Sequence, residues 1–390
     1  MKKRLIIECG VAETRAALTV DGQLLKLWFG PARGDEHRDT EPRENRHFVG
    51  KVTRVDVALN SAFVDLGNDT SGFMPLKPRY QKECNEGASI IVDVKSPPRQ
   101  GKGAELRYIR TDTDKLPLGR VAPFDDAILE AVTVMGDVDN IVVDDGRAAQ
   151  ALATAGYENI RHHSGTESLF DAEQISAELD GIFDRVVSLP GGGAVIIDET
   201  QALTAIDVDT GSLVASSSSR LKERTAFAAA EIIFRQISVR NIGGHVVIDF
   251  PSLSSDVVRS KFLTHLKSQA DLIPGLKQAS FSKSGLYSFT LPRHGLSLLD
   301  QFTEVSEAEP IAGRMFTVQS AAKIAVRALE RALRSNPTQT TTLDVGRLIF
   351  DYLTGYPEWA SRLRDRYGQR FEITESGNCE ERSFDCREQR

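Results

Sequence analysis

The sequence has few cysteines and no long apolar run, and each shortage excludes a class of protein. No apolar stretch approaches a membrane span, and residues 1–4 lead into a strand-like segment rather than a signal core. We therefore expect a cytoplasmic protein with no membrane partner. The cysteines are too scattered over 390 residues for a disulfide framework, and the last two lack the partners of a zinc site. They are Cys9, Cys84, Cys379 and Cys386.

The charge balance excludes a uniformly basic nucleic-acid binder, because 48 Lys and Arg stand against 55 Asp and Glu. Two stretches are nevertheless basic. Residues 46–110 carry 11 Lys and Arg against 7 Asp and Glu, and residues 256–293 carry 6 against 2. Each excess is either ordinary solvated surface or a local track for a phosphate backbone. The length, with 41% hydrophobic and 26% charged residues, predicts a globular protein of two to four domains.

Two apolar strands that end on aspartates dominate the middle of the chain. The first, residues 202–209, carries Asp207 and Asp209, and the second, residues 245–250, carries Asp249. Runs rich in β-branched residues predict buried sheet strands, in which a carboxylate is out of place. Asp207 and Asp209 are two residues apart, so they point to the same face of a strand. If the two strands are neighbours, Asp249 joins them at one edge of the sheet.

These aspartates have two interpretations. Carboxylates that converge at one point repel one another unless a cation neutralises them. Mg²⁺ commonly takes one or two carboxylates and completes its shell with water and phosphate oxygens, which fits this arrangement. The alternative is that the aspartates cap strands or form salt bridges at loop ends. The pattern alone leaves both interpretations open.

The N-terminal part of the chain predicts a hairpin followed by a separate small barrel. Residues 4–28 contain three strand-like segments with a tight turn at Asp21-Gly22. After a polar stretch at 31–46, short strands with glycine-bearing turns predict an oligonucleotide-binding barrel over residues 47–110. Helices and strands follow, and the polar tail beyond Ser376 is predicted to be disordered.

Three stretches of this barrel resemble an S1 RNA-binding domain, namely G-K-V-T-R, A-F-V-D-L-G and G-F-M-P-L. In such a barrel, aromatic rings stack on single-stranded bases while lysine and arginine contact phosphates. The resemblance assigns stacking to Phe48, Phe63 and Phe73, and backbone contacts to Lys51, Arg99 and Lys102. For each phenylalanine, burial in the barrel core is the alternative.

A longer resemblance connects the whole chain to one family. The stretches L-P-G-G-G-A-V-I-I-D-E-T-Q-A-L-T-A-I-D-V-D and R-N-I-G-G-H-V-V-I-D-F resemble the catalytic half of ribonuclease E and ribonuclease G, and the resemblance spans about residues 1–375. It implies an α/β and α+β multidomain fold. The implied parts are a ribonuclease H-like fold (1–35 and 118–187), an inserted S1 barrel of the OB type (36–117), a DNase I-like catalytic subdomain (188–305), a small C-terminal α/β domain (306–376) and a polar tail (377–390).

The resemblance also implies a catalytic site. In that family two aspartates hold a single Mg²⁺ for endonucleolytic cleavage of single-stranded RNA, and they fall here on Asp207 and Asp249. The metal would activate a water and leave a 5′-phosphate product, with Mn²⁺ as an alternative metal. Asp209 stands where the family has Asn, and it adds a third charged catalytic candidate. Lys283 and Arg293 are the basic residues that the resemblance assigns to RNA near the site.

Three further departures from the family carry predictions. About thirty residues join Arg110 to Asn140, too few for the family's 5′-monophosphate sensor, so we predict no 5′-end sensing of that type. No Cys-Pro-x-Cys zinc link follows Leu299, so we expect no zinc and no zinc-linked tetramer, while a homodimer stays open. Lys283 replaces one family arginine and Leu291 another, which predicts weaker electrostatic stabilisation of the transition state.

The leading hypothesis is a Mg²⁺-dependent endoribonuclease of the ribonuclease E/G type that cleaves single-stranded RNA in processing or decay. The second hypothesis is an RNA-binding protein on a nuclease scaffold with little or no cleavage. Retention of Asp207 and Asp249 favours the enzyme. The missing 5′-monophosphate sensor and the smaller number of arginines near the site favour the RNA-binding protein. A sugar-kinase-like ATPase, suggested by the early hairpin, fails because Gly191, Gly192 and Gly193 are not followed by the Lys and Ser/Thr of a phosphate loop.

Overall fold

Sheets carry the architecture of this chain, and helices cover them in the computed structural model. The structure describes residues 2–35, 42–43, 46–67, 70–98, 102–111, 113, 116–121, 127–211, 219–253, 255–282, 284–306 and 313–389. The strands are β1 Lys3–Cys9, β2 Glu13–Val20, β3 Gln23–Pro31, β4 His47–Asp56, β5 Ser61–Gly67, β6 Thr70–Pro75, β7 Ser89–Ser96, β8 Ala104–Arg110, β9 Gly119–Val121, β10 Asn140–Val143, β11 Ile160–His162, β12 Val186–Ser188, β13 Ala194–Glu199, β14 Thr204–Asp209, β15 Gly244–Asp249, β16 Lys277–Phe281, β17 Leu286–Leu291, β18 Thr303–Val305, β19 Arg314–Phe316, β20 Thr340–Val345, β21 Phe371–Glu375 and β22 Phe384–Gln389. The helices are α1 Ala127–Met135, α2 Gly146–Thr154, α3 Leu169–Ala172, α4 Ser176–Asp180, α5 Ser219–Val239, α6 Asp256–Ala270, α7 Leu298–Phe302, α8 Val318–Ser335, α9 Arg347–Gly355 and α10 Glu358–Tyr367, with a 3₁₀ turn at Pro78–Tyr80.

The chain divides into two compact units. The first unit comprises Met1–Asp39, Phe124–Asp180 and Leu299–Arg390. The second comprises Thr40–Pro123 and Gly181–Leu298. Among the described residues, no helix is both long enough and apolar enough to cross a membrane.

The first unit is built on the predicted N-terminal hairpin. Strands β1, β2 and β3 are antiparallel, and β10 and β11 extend the sheet beside β1 in parallel, in the order β11-β10-β1-β2-β3. Asp21 (φ 49°) and Gly22 (φ 85°) both adopt positive φ in the turn between β2 and β3, as a two-residue hairpin turn of type I′ requires. The hairpin is therefore confirmed. Helices α1 and α2 pack on one face of the sheet through the core around Leu5, Ile7 and Ile128.

The tail that was predicted to be disordered instead contains a strand. Residues 384–389 form β22, which pairs antiparallel with β20, and β21 pairs parallel with the other side of β20. Phe384 and Cys386 pack against the core that α8, α9 and α10 form around Leu329 and Leu343. The tail prediction is wrong because the composition of residues 376–390 is polar on average, while the inward positions of its strand are apolar.

The second unit contains the predicted barrel. Its strands pair in the order β5-β6-β8-β7-β4, and β4 closes the ring by pairing with β5. Val64, Met74, Ile90 and Leu106 fill the centre. A short further strand, β9 at Gly119–Val121, pairs with β4 and lies just beyond the predicted barrel boundary at residue 117.

A six-stranded sheet in the second unit carries the predicted aspartates. Its order is β12-β13-β14-β15-β17-β16, in which β14 and β15 are parallel and the other neighbours antiparallel. The turn before β13 takes Gly191, Gly192 and Gly193 through positive φ, which confirms a hairpin turn there. Helices α5 and α6 pack on one face of this sheet, through residues such as Ile233 and Phe262.

Candidate metal and RNA sites

The carboxylates of Asp207 and Asp249 come from two neighbouring strands at the same level of the sheet. Strands β14 and β15 are parallel, and Asp207 is the register partner of Asp249. Adjacent strands lie about 4.8 Å apart, and register partners point to the same face. The structure therefore brings these two predicted site residues together. Both strands end here, and the carboxyl ends of parallel strands are where α/β sheets commonly bind ligands.

The two side chains lie on the face of the sheet opposite to the one on which the described helices α5 and α6 pack. Along β14, Ile206 and Val208 are buried while Asp207 and Asp209 are exposed. Along β15, Val246 and Ile248 are buried while Asp249 is exposed. A period of two thus assigns the apolar residues to the helix-covered face and the aspartates to the solvent. This alternation explains how a β-branched run tolerates the carboxylates.

Asp209 shares the exposed face with Asp207, but its carboxylate is engaged locally. Its Oδ1 accepts a hydrogen bond from the backbone N–H of Gly211 at 2.7 Å. In addition, an added Cβ on Gly193 would lie 2.6 Å from the carbonyl oxygen of Asp209, so the glycine turn packs tightly under this strand end. The described residues contain no group of three or more His, Cys, Asp or Glu side chains arranged to hold a metal. The geometry therefore favours a two-carboxylate site over a three-carboxylate one.

The tip of the β16–β17 hairpin lies beside Asp249. Gly285 has φ +104°, and an added Cβ there would lie 2.6 Å from the carbonyl oxygen of Phe250 and 3.8 Å from Oδ1 of Asp249. Ser282 tightens the turn, because its Oγ accepts a hydrogen bond from the N–H of Leu286 at 3.0 Å. Lys283, which the resemblance assigns to RNA, is outside the described residues, although its described neighbours at this tip adjoin the carboxylate.

Apolar side chains flank the carboxylate pair on both sides. Ile196 on β13 is the register partner of Asp207, and Leu286 on β17 is the register partner of Asp249. Leu286 is 41% exposed. We call Ile196, Asp207, Asp249 and Leu286 the carboxylate row. Sequence reasoning missed Leu286 because its position beside Asp249 depends on the register of β15 and β17.

The donor set at this row fits a hard divalent cation. Two exposed carboxylates supply anionic oxygens and leave room for water and phosphate oxygens, which is the coordination that Mg²⁺ commonly keeps. Neither imidazole nor thiolate stands in the row, so the softer ligands that zinc prefers are lacking there.

Tyr287 follows Leu286 but belongs to the opposite face. Burial first, and the charge of Asp271 second, raise the pKa of the Tyr287 phenol. Its ring packs 5.4 Å from that of Phe289 in the helix-covered core. Tyr287 is therefore a core residue that stays neutral and cannot donate a proton on the open face.

Arg293 lies far from the carboxylate row. It follows β17, and its guanidinium covers Gly244 at the start of β15, where an added Cβ would lie 2.1 Å from an arginine nitrogen. Five residues of strand separate Gly244 from Asp249, which is about 16 Å. The resemblance assigned Arg293 to RNA, and the structure keeps it on this sheet but at the opposite end of the strand from Asp249.

A second candidate surface lies on the outside of the barrel. Phe63 on β5 and Phe73 on β6 are register partners, and their rings meet edge to face with centroids 5.9 Å apart. Both rings are half-buried. The guanidinium carbon of Arg54 lies 4.2 Å from the centroid of Phe63, in a cation–π arrangement. Lys51 is exposed on the same strand as Arg54. We call Lys51, Arg54, Phe63 and Phe73 the barrel surface.

Phe48 does not belong to this surface. Its side chain is 1% exposed and packs in the barrel core with Val92 and Leu106, so the prediction that Phe48 stacks on RNA is wrong. Alternation along β4 gives the reason, because Phe48 shares the inward face with Val52 and not the outward face with Lys51. Lys102 is exposed just before β8, and Arg99 is outside the described residues.

Sequence reasoning missed Arg54. Strict alternation from the outward Lys51 would turn a residue three positions later inward. A register shift between Val52 and Arg54 inserts an extra residue, and Arg54 emerges outward. The signal that could have found it is the cation itself, because an arginine rarely points into a barrel core.

Comparison with known proteins shows what the part of the chain around this site is similar to. The family model described as the ribonuclease E/G family matches residues 124–290, which include Asp207 and Asp249. The chain is similar to proteins of the ribonuclease E/G family, which confirms the resemblance that its motifs indicate.

Individual relatives carry the same names. Ribonuclease E of Escherichia coli (strain K12) is 27% identical over 356 residues, covering 64% of this chain and 33% of that protein. Ribonuclease E of Haemophilus influenzae (strain ATCC 51907 / DSM 11121 / KW20 / Rd) is 27% identical over 352 residues, covering 64% and 37%. Ribonuclease G of Salmonella typhimurium (strain SL1344) is 32% identical over 169 residues, covering 40% and 34%. The chain thus spans about a third of the length of these relatives.

Proposed function

We propose that this protein is an endoribonuclease that cleaves single-stranded RNA, depends on Mg²⁺ and leaves 5′-phosphate products. Its relationship to ribonucleases E and G supports an endoribonuclease. The observation that carries the proposal is the register pairing of Asp207 and Asp249 on the exposed face of two parallel strands. Two paired, solvent-facing carboxylates with no cationic side chain in their row serve no evident purpose in stability, because like charges repel.

In the proposed site, Asp207 and Asp249 would hold the cation. When bound, Mg²⁺ supplies a Lewis acid for the scissile phosphate and lowers the pKa of a bound water. The remaining contributions come from the chain itself. The tight turn at Gly285 fixes one flank of Asp249, and Asp209 is oriented by its hydrogen bond to Gly211. Mn²⁺ is the alternative metal, and zinc is not part of the proposal.

The barrel surface would bind the RNA without taking part in cleavage. Half-buried Phe63 and Phe73 offer ring faces and edges on which bases stack, and Lys51 and Arg54 offer cations to the phosphates. Because this surface could hold RNA without any chemistry, it favours a second candidate function, an RNA-binding protein with little or no cleavage.

The proposal extends to the fold and the setting. We propose a ribonuclease H-like fold for the sheet of β1 and β10, a DNase I-like fold for the sheet of β14 and β15, and an S1 identity for the barrel. The mixed parallel and antiparallel order of both sheets and the closure of the barrel support these assignments. We further propose a cytoplasmic role in RNA processing or decay, as a monomer or homodimer without a zinc-linked tetramer.

The test is cleavage of an end-labelled, A/U-rich single-stranded RNA by the purified protein, with Mg²⁺ and with a chelator. We expect cleavage with Mg²⁺ that the chelator abolishes. Asp249→Asn should abolish cleavage while RNA binding persists, because the amide keeps the shape but removes the charge. Asp271→Asn is the matched control, since Asp271 is exposed at the end of α6. This variant should cleave at the wild-type rate. RNA that binds but stays intact in every lane would reject the enzyme in favour of the binding protein.

A further inference from the structure

Among the described residues of the second unit, helices pack on one face of the sheet that carries the carboxylate row. Helices α5 and α6 both pack against the side that holds Val195, Ile206, Val246 and Phe289. Only β14 and β15 are parallel in this mainly antiparallel sheet, and antiparallel sheets commonly leave one face to solvent. The side chains of the second face are half-buried or exposed, so that face is open to solvent or to a ligand.

The open face presents three rows of side chains, which the register of the strands defines. The first is the carboxylate row. The middle row consists mostly of small side chains, and it comprises Asp198, Ala205, Val247, Ser288 and Ser280. The third, which we call the far row, comprises His245, Thr290 and Lys277. The far row is four strand residues from the carboxylate row, which is about 13 Å.

The far row is a group of hydrogen-bonding and cationic side chains without a carboxylate. Nδ1 of His245 lies 3.2 Å from Oγ1 of Thr290. Lys277 is the register partner of Thr290, so its ammonium group extends from the same face at the edge of the sheet. Lysine and threonine are typical ligands of phosphate and sugar oxygens, and such contacts position a nucleic acid without reading its sequence.

The middle row lies between these two rows, and most of its side chains are short. Ala205, Val247 and Ser288 have short side chains, and Oγ of Ser280 and Ser288 are 3.5 Å apart. The carboxylate of Asp198, at the end of this row, is engaged by Arg185 at 2.5 Å and is therefore neutralised. The one carboxylate of the middle row is thus paired with a cation, and the row as a whole offers no large apolar patch of the kind that receives a protein helix.

We propose that the open face is a track for the single-stranded RNA substrate, in which the far row grips the sugar-phosphate backbone about 13 Å from the phosphate at the carboxylate row. The proposal rests on the proposed function for the identity of the substrate. It adds that the enzyme distinguishes a polynucleotide from a short oligonucleotide, because only a longer strand reaches both rows. The far-row residues position the substrate and do not touch the reacting atoms.

The experiment measures cleavage and binding for a set of single-stranded RNAs of increasing length, using the full chain. The variants are His245→Ala, Thr290→Val and Lys277→Ala. We expect KM and Kd to rise about tenfold for long RNA in each variant, with kcat unchanged, and both constants to stay at the wild-type value for the shortest RNA. Lys277→Ala should also reduce the slope of log K against log salt by about 0.7, the contribution of one phosphate contact on a single strand.

Matched controls come from exposed residues elsewhere. Lys267→Ala alters a lysine on α6, and His162→Ala alters a histidine on β11, and neither should change KM, Kd or the salt slope. Affinity that is unchanged for every length, or that falls equally for all lengths, would overturn the track. If wild-type protein binds RNA without cleaving it, the proposed function fails, while a length-dependent loss of binding in the variants would still support the track.

Discussion

Phe48 and Phe63 are the same residue type in the same barrel, and their environments assign them opposite roles. Phe48 is 1% exposed among the core side chains, whereas Phe63 is half-buried under the guanidinium of Arg54 and beside the ring of Phe73. Removal of a core ring leaves a cavity, and removal of a stacking ring leaves a binding surface with less area. The two positions therefore separate stability from binding.

We predict that Phe63→Ala weakens binding of single-stranded RNA by about 1–3 kcal/mol and leaves the barrel folded. Phe48→Ala should instead lower the free energy of unfolding by about 3–5 kcal/mol. Fluorescence anisotropy with labelled RNA and urea denaturation measure the two quantities. A Phe63→Ala protein that melts earlier but binds RNA normally would show that this ring serves the core.

Gly285 and Gly191 form a second informative pair at the residue scale. Both have positive φ, +104° and +88°, so both are strained by any side chain. They differ in space, because an added Cβ at Gly285 would lie 2.6 Å from the carbonyl oxygen of Phe250, while nothing lies within 4 Å at Gly191. A side chain would thus strain the backbone similarly at both glycines, but only at Gly285 would it also collide with the backbone next to Asp249.

We predict that Gly285→Ala lowers the cleavage rate more than Gly191→Ala does, because the added methyl group displaces the strand end that carries Asp249. Both variants should lose about 1 kcal/mol of stability from backbone strain. Single-turnover kinetics and thermal denaturation on the two proteins make the comparison. Equal cleavage rates in both would mean that the hairpin tip does not hold Asp249 in place.

At the scale of elements, a buried ionic network joins the strands and helices of the first unit. Glu8 on β1 is paired with Arg15 on β2, and its Oε2 accepts a hydrogen bond from the N–H of Phe170 in α3 at 2.9 Å. Glu330 on α8 accepts a hydrogen bond from the N–H of Val11 at 3.0 Å. These two buried carboxylates therefore connect β1 and α8 to neighbouring segments of the chain through hydrogen bonds and an ion pair.

The carboxylates of this network differ in their pKa values. Burial alone would raise the pKa of Glu8, but the charge of Arg15 and the hydrogen bond from Phe170 lower it below the ordinary 4.5. Burial raises the pKa of Glu330 despite the charge of Arg366. A lowered carboxyl pKa contributes stability that is present above the unfolded pKa and is lost as pH falls through the folded pKa. Glu330 acts in the opposite direction.

We predict that Glu8→Gln lowers the free energy of unfolding by about 3 kcal/mol at neutral pH, because it removes the carboxylate that pairs with the largely buried Arg15. The gap between the variant and the wild type should begin to narrow as the pH falls below 4.5, the ordinary pKa of an unfolded glutamate, and should keep narrowing until the pH passes the lowered pKa of folded Glu8. Urea denaturation across pH 3–7 measures the gap. A gap that is constant or that widens in acid would contradict the lowered pKa.

The sequence predicts most elements and part of the site because alternation and turn residues are local signals. The hairpin at Asp21-Gly22, the barrel strands and the two aspartate strands all follow from such signals. Arg54 and Leu286 do not, because a bulge in β4 and the register of β15 against β17 are tertiary choices. Phe48 illustrates the same limit. The motif identifies an aromatic residue, but the alternation of side chains along β4 determines whether that residue points into the barrel or outward.

At the scale of the whole molecule, long-range pairing decides what composition cannot. The polar stretch after residue 376 becomes ordered as β22 because β20 offers an open edge. The same limit applies to domain boundaries, since β9 pairs with β4 across the predicted boundary at residue 117. Composition identifies segments that can be disordered, whereas pairing partners elsewhere in the chain determine whether they are.

The short connection between the barrel and β10 carries a prediction about substrates. Between Arg110 at the end of β8 and Asn140 at the start of β10, the described elements are β9 and α1. We predict similar cleavage rates on RNAs that carry a 5′-monophosphate and a 5′-hydroxyl. Parallel time courses on otherwise identical RNAs measure the ratio. A strong preference for the 5′-monophosphate would mean that another part of the chain reads the 5′ end.

The central claim is that Asp207 and Asp249 act as one unit, and a double-mutant cycle tests it most directly. The measurement is the single-turnover cleavage rate of Asp207→Asn, Asp249→Asn and the double variant, with RNA binding measured alongside. We predict that each single variant loses roughly 10³-fold or more and that the double variant loses no more than either, because the two groups hold one cation. Losses that multiply in the double variant, or a single variant that cleaves at the wild-type rate, would contradict the shared site.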